Sequence, residues 1–262
     1  MLNMMRADIR RIFQSKGIYI WFIAFSTLHL LQTSGMRNAN VNDLVITDVL
    51  YISAINGSIM PLIVMSDILV ILYFLLPFVF MVISTDFSSG AVKNTLSSGM
   101  SRAKYYITKL SLVLFLTVLI HAINIIVPTI LMTWWNGFGQ AFNGEWLWTV
   151  VQMFLLQSLL LIGIMSIATF FAISIKKTAG ALGAVIALIT VPNMIIFYLQ
   201  LFDIANVESI VRFEPISILH DIVIRWNYWA GTDTMRVILA GIFYLGISIY
   251  MGILLFRRAE IK

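Results

Sequence analysis

Long apolar stretches alternate with short polar segments along this chain and predict an all-α integral membrane protein. A helix needs about 20 apolar residues to cross a hydrocarbon core of roughly 30 Å, and six stretches without charge meet this requirement. The predicted spans lie near residues 18–33, 67–84, 110–133, 149–174, 179–201 and 237–256. Together they form a single transmembrane domain over residues 1–262.

Residues 49–66 are also free of charge but contain several polar or helix-breaking groups, among them Asn56, Ser58 and Pro61. Such groups are disfavoured in a helix that faces lipid. We therefore expect an outer loop that leads into the second span, with Asp67 close to the outer interface.

Basic residues are concentrated on one side of the predicted bundle. With six spans, 13 of the 17 Lys and Arg residues fall into the segments 1–17, 85–109, 175–178 and 257–262. Positive segments next to spans stay on the cytoplasmic side, so both termini are predicted to lie inside. A seventh span would abolish this segregation.

The composition agrees with a membrane protein and excludes several other classes. Hydrophobic residues make up 60% of the chain and charged residues 11%, against about 25% charged in soluble proteins. The net charge of +5 is placed at the ends of spans, so we expect no nucleic-acid partner. With Cys at 0, disulfides, thiolate metal sites and cysteine nucleophiles are excluded.

The N-terminal segment 1–17 is predicted to form an amphipathic helix on the inner membrane surface. Leu2, Met5, Ile9 and Ile12 recur at helical spacing, and the cations between them would lie near anionic headgroups. These cations are Arg6, Arg10, Arg11 and Lys16. The helix is either an anchor only or also contacts a cytoplasmic partner.

The inner loop 85–109 is longer than its position requires, since a few residues suffice to connect two helices. It has one acid, Asp86, and the four cations Lys93, Arg102, Lys104 and Lys109. Ser101 is expected to cap a helix that runs into the third span. The loop is either a positively charged retention segment or a docking segment for another protein.

The outer segment 202–235 interleaves charged residues with apolar residues at helical intervals, and Pro215 interrupts the pattern. This pattern predicts two short helices that lie on or dip into the outer interface. They form either part of a gate or a lid over the helix ends.

Polar residues inside predicted spans are candidates for function, because such groups are costly in a membrane. They are His29, His121, Asn124, Gln152, Gln157 and Asn193. They line a polar path or form hydrogen bonds between packed helices. His121 and Asn124 share one helix face, but two ligands do not make a metal site.

The sequence contains no motif for catalysis in this chain. It has no HExxH, no GxSxG, no facing pair of intramembrane acids and no Walker A signature. We expect no catalytic residue, metal or cofactor here, and therefore no enzyme. An ion-coupled transporter normally shows repeats or deeply buried acids, and we expect neither.

The segment from Asp86 to Lys109 resembles the first inner loop of ABC-2-type transporter permeases, in particular the small permeases of bacteriocin-immunity and peptide-export systems in Gram-positive bacteria. The pattern is an acid, a glycine, a Lys-Asn-Thr-Leu run, a Gly-x-Ser-Arg group and a Tyr/Lys tail. It is carried by Asp86, Gly90, Lys93, Asn94, Thr95, Leu96, Gly99, Met100, Ser101, Arg102, Tyr105, Tyr106 and Lys109. Asp86 stands where Glu is more usual in this family.

This resemblance implies a coupling helix in the inner loop that docks on a cytoplasmic ATPase, which would bind ATP and Mg²⁺. The implied coupling residues are Asp86, Gly90, Lys93, Asn94, Leu96, Gly99, Met100, Ser101, Arg102 and Lys104. It also implies a second permease subunit, in a homodimer or heterodimer, and an amphipathic peptide or hydrophobic antimicrobial as cargo. The location would be the cytoplasmic membrane of a bacterium.

Two alternatives remain at this point. The chain could be an accessory or sensor protein that docks a cytoplasmic partner through the same loop, or an ion-coupled secondary transporter.

Overall fold

The computed structural model describes residues 2–37, 55–140, 142–175, 177–202 and 214–258. Within these ranges the chain forms helices and no strand, which confirms the predicted all-α class for the described residues. The α-helices are α1 (Leu2–Gln14), α2 (Lys16–Arg37), α3 (Met60–Ser66), α4 (Ile68–Ser88), α5 (Ala91–Ser97), α6 (Arg102–Asn136), α7 (Gly144–Ile175), α8 (Thr178–Leu201), α9 (Pro215–Ile224) and α10 (Gly231–Arg258). A 3₁₀ turn, Trp226–Tyr228, precedes α10.

Four described helices, α6, α7, α8 and α10, are long and apolar enough to cross a membrane. They contain the last four predicted spans. Helices α3 and α4 meet the same requirement as a pair, although they are bent by 65° at the break between them. The described residues therefore support four or five crossings. Helix α2 coincides with the first predicted span but is not among these helices, so the count of six stays a prediction.

The prediction of an outer loop at 49–66 is wrong for Met60–Ser66, which form α3; residues 49–54 lie outside the described residues. Asn56, one of the polar residues that suggested a loop, instead binds backbone donors just before this helix. Asn56 Oδ1 accepts hydrogen bonds from the backbone N–H of Ser58 at 3.1 Å and of Ile59 at 3.3 Å. Pro61 occupies the first turn, where no backbone donor is required.

Helix α10 packs closely on α6 and α7 through small residues. A Cβ atom on Gly252 would lie 2.2 Å from a ring carbon of Tyr106, so only glycine fits at this crossing. Tyr106 Oη donates to the Ser248 carbonyl at 3.0 Å, and Ser248 Oγ donates to the Ser166 carbonyl at 2.5 Å. Small residues and hydroxyl groups of this kind are typical contacts between membrane helices.

Helix α9 lies in the outer segment that precedes α10; residues 203–213 of that segment lie outside the described residues. It begins at Pro215 and buries Ile218, Leu219, Ile222 and Val223. Gln157 Nε2 on α7 donates to the carbonyl oxygens of Leu219 and Met65, both at 2.9 Å. Because one amide joins α9 to the end of α3, this helix is docked into the bundle.

Helix α1 confirms the predicted N-terminal helix and contacts α2, α4 and α6. Its Ile12 is buried together with Ile18 of α2. Farther along α2, Trp21 Nε1 donates to the Phe74 carbonyl of α4 at 2.9 Å. The N-terminal part of the chain is therefore packed against α4 and α6.

Candidate functional site

An ionic cluster joins α1, α4 and α6 where these three helices meet. Lys109 Nζ of α6 lies 2.7 Å from Asp8 Oδ2 of α1 and 2.6 Å from Asp86 Oδ2 of α4. Arg11 Nη2 of α1 lies 3.1 Å from Asp8 Oδ1, and Arg11 Nη1 pairs with Asp86 Oδ1. Two cations thus bridge two carboxylates from different helices. We call Asp8, Arg11, Asp86 and Lys109 the ionic cluster.

The ionic cluster is buried and balanced in charge. Lys109 is 0% exposed, Asp86 3% and Asp8 6%, whereas the Arg11 side chain is 39% exposed. Tyr105 Oη donates a further hydrogen bond to Asp86 Oδ2 at 2.7 Å. An unpaired charge at such a place costs several kcal/mol. The loss of one member would therefore leave another charge buried without its counterion.

Helical periodicity explains how these side chains come together. Asp8 and Arg11 are three residues apart on α1, and Tyr105 and Lys109 are four residues apart on α6. Residues at these spacings share a helix face. Asp86 lies in the last turn of α4, so the cluster forms where one helix ends and another begins.

A short helix, α5, lies in the loop between α4 and α6. Gly90 and Gly99 bound it with φ angles of 71° and 93°, a left-handed conformation that favours glycine. Val92 is buried against the bundle, while Lys93 and Asn94 are exposed. One side of α5 is therefore attached to the membrane helices, and its polar side faces outward.

Two apolar residues of this loop, Leu96 and Met100, were candidates for contact with a partner. Both are partly buried and pack against the core of the same chain. The structure thus uses much of their apolar surface within the bundle. The exposed polar residues of the loop include Lys93, Asn94 and Lys104, and we call these three residues the coupling surface.

The start of α6 is fixed by Ser101 and Arg102. Ser101 Oγ accepts a hydrogen bond from the Lys104 backbone N–H at 3.3 Å, which confirms the predicted cap. Arg102 Nη1 donates to the carbonyl oxygens of Phe256 at 3.1 Å and Arg257 at 2.7 Å. These carbonyls belong to the last turn of α10, where a cation satisfies otherwise unpaired acceptors. Arg102 therefore connects the loop to the final helix.

The other cations of segment 1–17 are separate from the ionic cluster. Arg6, Arg10 and Lys16 are exposed, whereas Arg11 belongs to the cluster. The buried side of α1 thus carries a charge-balanced contact with the bundle. Its exposed side keeps the positive charge that the sequence predicted.

The predicted intramembrane polar residues occupy several different environments. His121 is fully buried, its ring stacks on Phe154 with 5.2 Å between centroids, and its ring nitrogens have no hydrogen-bond partner among the described residues. Asn124 is buried and Gln152 half-buried. The side chain of His29 lies outside the described residues.

Two of these polar residues contact α9 or the residue before it. Gln157 binds the carbonyls of α3 and α9 given above, and Asn193 Nδ2 of α8 donates to Glu214 Oε1 at 3.3 Å. His121 belongs to a different contact, between α6 and α7.

Sequence reasoning assigned no site role to Asp8 or Glu214, and it named Lys109 only as a cation of the inner loop and as part of the family pattern. The expected absence of acids deep in the membrane stays a prediction, but Asp8, Asp86 and Glu214 are all buried within the protein. Each of these acids lies outside the predicted spans, in a segment that the fold packs against the bundle. A usable signal existed for Asp8, since it is the single acid of segment 1–17 and lies one helical turn before Ile12.

The chemistry of the ionic cluster is ion pairing between helices. Within the part of the chain that the structure describes, no group of three or more His, Asp or Glu residues could hold a metal ion. No family model matches the chain, and no curated protein matches it.

Proposed function

We propose that the chain is the permease subunit of an ATP-driven ABC exporter and that a separate cytoplasmic ATPase binds ATP and Mg²⁺. Helix α2 supplies the first of six crossings, and both termini lie on the cytoplasmic side. Two permease subunits, identical or different, form the path through the cytoplasmic membrane of a Gram-positive bacterium. The cargo is an amphipathic peptide or another hydrophobic antimicrobial compound.

The observation that carries this proposal is the position of the coupling surface next to the ionic cluster. The exposed Lys93 and Asn94 lie on α5, between the end of α4 and the start of α6. Asp86 and Lys109 on those two helices are bonded to each other and to α1. A partner that displaces α5 therefore acts on three helices that are already joined.

The strength of the ionic cluster determines how such a displacement is transmitted. Breaking a buried ion pair by removal of one partner costs about 3–5 kcal/mol, whereas coupling between two sites is typically about 1–3 kcal/mol. The cluster is thus strong enough to stay intact while a partner shifts the equilibrium between two states. We expect α1, α4 and α6 to move together at this end of the bundle.

The partner would favour one state of the permease by binding it more tightly than the other. Lys93 and Lys104 give the coupling surface a positive charge. Complementary charge across an interface raises the association rate and selects the partner. We therefore expect an acidic groove on the ATPase where α5 binds.

The experiment is purification of the tagged chain from its native membrane in mild detergent, with the retained proteins identified by mass spectrometry. The expected partner is an ATPase with Walker A and Walker B sequences, in an amount equal to the chain. Reversal of both exposed cations, Lys93→Glu with Lys104→Glu, should lower its recovery at least about tenfold. Lys177→Glu is the matched control, because Lys177 is an exposed cation between α7 and α8.

Three results would contradict the proposal. The first is equal recovery of the ATPase by the double variant and the control. The second is solute transport or ATP hydrolysis by the purified chain alone. The third is a retained partner without a nucleotide-binding signature, which would favour the accessory or sensor function.

Ion-coupled secondary transport is a second candidate, and two observations favour it. The α3–α4 pair is a broken helix with Asp67 at the break, and Glu214 is a buried acid nearby in the fold. Broken helices and acids hold coupling ions in such transporters. Under this alternative, liposomes that contain the chain alone would accumulate cargo along a proton or sodium gradient without ATP.

A further inference from the structure

Two cavities adjoin at the beginning of α9, and Ile216 lines both. The first has a volume of about 460 Å³ and a polar wall. Its polar residues are Ser66, Asp67, Asn193, Ser217, His220 and Asp221. The second has a volume of about 240 Å³, is mostly apolar and lies between α7, α8, α9 and α10.

Glu214 lies at the boundary between these cavities. It is 8% exposed, and its Oε2 accepts the Ser217 backbone N–H at 2.5 Å, so that it caps α9. Its Oε1 accepts the Asn193 amide at 3.3 Å. Since Asn193 lines the polar cavity and Glu214 lines the apolar one, this hydrogen bond lies in the wall that separates them.

The charge of Glu214 differs from the charges of the ionic cluster. None of the ion pairs between described residues includes Glu214. Its two hydrogen bonds come from neutral donors, which offset only part of the cost of burying a carboxylate. Asp67 and Asp221 add negative charge to the adjacent wall, and Asp221 lies 3.5 Å from Arg225. The region therefore favours a ligand with positive charge.

The apolar cavity supplies the complementary surface. Ile164 and Tyr244 lie in the middle turns of α7 and α10, and Leu188 and Pro192 of α8 form another wall. An alkyl or aryl group would be removed from water here, which is favourable in proportion to the apolar area buried. The aromatic ring of Tyr244 can also attract a cation, by about 0.5–2 kcal/mol.

We propose that these two cavities bind a cationic amphiphile, with its ammonium or guanidinium group at Glu214 and its apolar part between Ile164, Leu188 and Tyr244. Taken together the cavities have the size of ligand pockets, which is roughly 300–1,000 Å³. That the bound cation is cargo rests on the proposed function of the chain. Binding itself requires no ATPase, so the two proposals can fail independently.

The test is equilibrium binding of radiolabelled benzyltrimethylammonium to the chain in lipid nanodiscs, with empty nanodiscs subtracted. We expect saturable binding that Glu214→Gln weakens at least about tenfold, because the counterion is lost. Glutamine retains an oxygen that can accept the Ser217 N–H, so α9 keeps its cap. Glu145→Gln is the matched control: Glu145 is exposed in the first turn of α7, and its replacement should leave binding unchanged.

Leu188→Trp tests the apolar part of the site without a change of charge. Leu188 is 46% exposed, so a larger side chain can be accommodated at the wall while it occupies cavity volume. We expect binding of the cation to weaken several-fold. Both variants are first compared with the unmodified chain by size-exclusion chromatography to show that they fold.

The proposal is overturned if Glu214→Gln binds the cation as tightly as the unmodified chain, if Glu145→Gln weakens binding equally, or if no saturable binding occurs. The amount of ATPase that co-purifies with the chain distinguishes failure of this site from failure of the proposed function. Normal recovery with unchanged cation binding by Glu214→Gln would reject the site alone. Saturable, Glu214-dependent binding by a chain that retains no ATPase would support the site and reject the exporter.

Discussion

Lys109 Nζ lies 2.7 Å from Asp8 Oδ2, although 101 positions separate the two residues in the chain. The ammonium group is fully buried and also contacts Asp86, so one cation holds two carboxylates from two other helices. Apolar packing between membrane helices gains little, because lipid tails are as apolar as the side chains they replace. The ionic cluster therefore gives this end of the bundle a specific arrangement that hydrophobicity alone would not select.

We predict that Lys109→Met destabilises the chain by about 3–5 kcal/mol, because Asp8 and Asp86 then remain buried with only Arg11 as counterion. The thermal midpoint of the detergent-solubilised chain should fall accordingly. Lys109→Met with Asp86→Asn should be less destabilised than the single variant, since Asp8 keeps Arg11 and the charge is balanced again.

Lys177→Met is the control for this measurement, because it removes an exposed lysine and should leave the midpoint unchanged. An unchanged midpoint for Lys109→Met would show that the ionic cluster does not hold the three helices together.

Two glycines of α10 should respond in opposite ways to the same substitution. In Gly252→Ala the new Cβ would meet the buried ring of Tyr106 at 2.2 Å, and we expect destabilisation by about 1–3 kcal/mol. In Gly246→Ala the Cβ meets nothing within 4 Å, so the higher helix propensity of alanine should make this variant neutral or more stable by up to about 1 kcal/mol. Thermal midpoints of both variants measure the difference, and equal midpoints would argue against the packing of α10 on α6.

The absence of cysteine from the sequence makes the six-span topology directly measurable. Arg10 precedes α2 in the sequence and Asn42 follows it. Each is replaced by cysteine in a separate variant, and a membrane-impermeant maleimide reports which of the two cysteines is accessible in intact cells. If α2 crosses the membrane with the N-terminus inside, Asn42→Cys is labelled in intact cells and Arg10→Cys only after permeabilisation.

Glu145→Cys and Lys177→Cys extend this test to the two ends of α7. We expect labelling of the first in intact cells and of the second only after permeabilisation. Labelling of Arg10→Cys and Asn42→Cys from the same side would reduce the number of crossings to five or fewer.

Local features of the chain could be predicted well from the sequence. The predicted spans 110–133 and 149–174 lie within α6 and α7, and the predicted cap at Ser101 is present. Hydropathy and capping depend on residues within a few turns of one another, so one segment contains the information. The same reasoning failed at Met60–Ser66, because Asn56 and Pro61 indicate a break in a span and also the start of a helix.

The sequence by itself determined that this is a helical chain with long apolar segments and that its cations lie in the segments between them. Only the tertiary structure decided which charges meet. Asp86 and Lys93 belong to one loop in the sequence, yet Asp86 is buried in the ionic cluster and Lys93 is exposed. Glu214 likewise belongs to a charged outer segment in the sequence, yet in the structure it lines a cavity between α7, α8 and α10. A charge is buried only where helices from distant parts of the chain supply its partners and exclude water, and that condition cannot be evaluated from neighbouring residues.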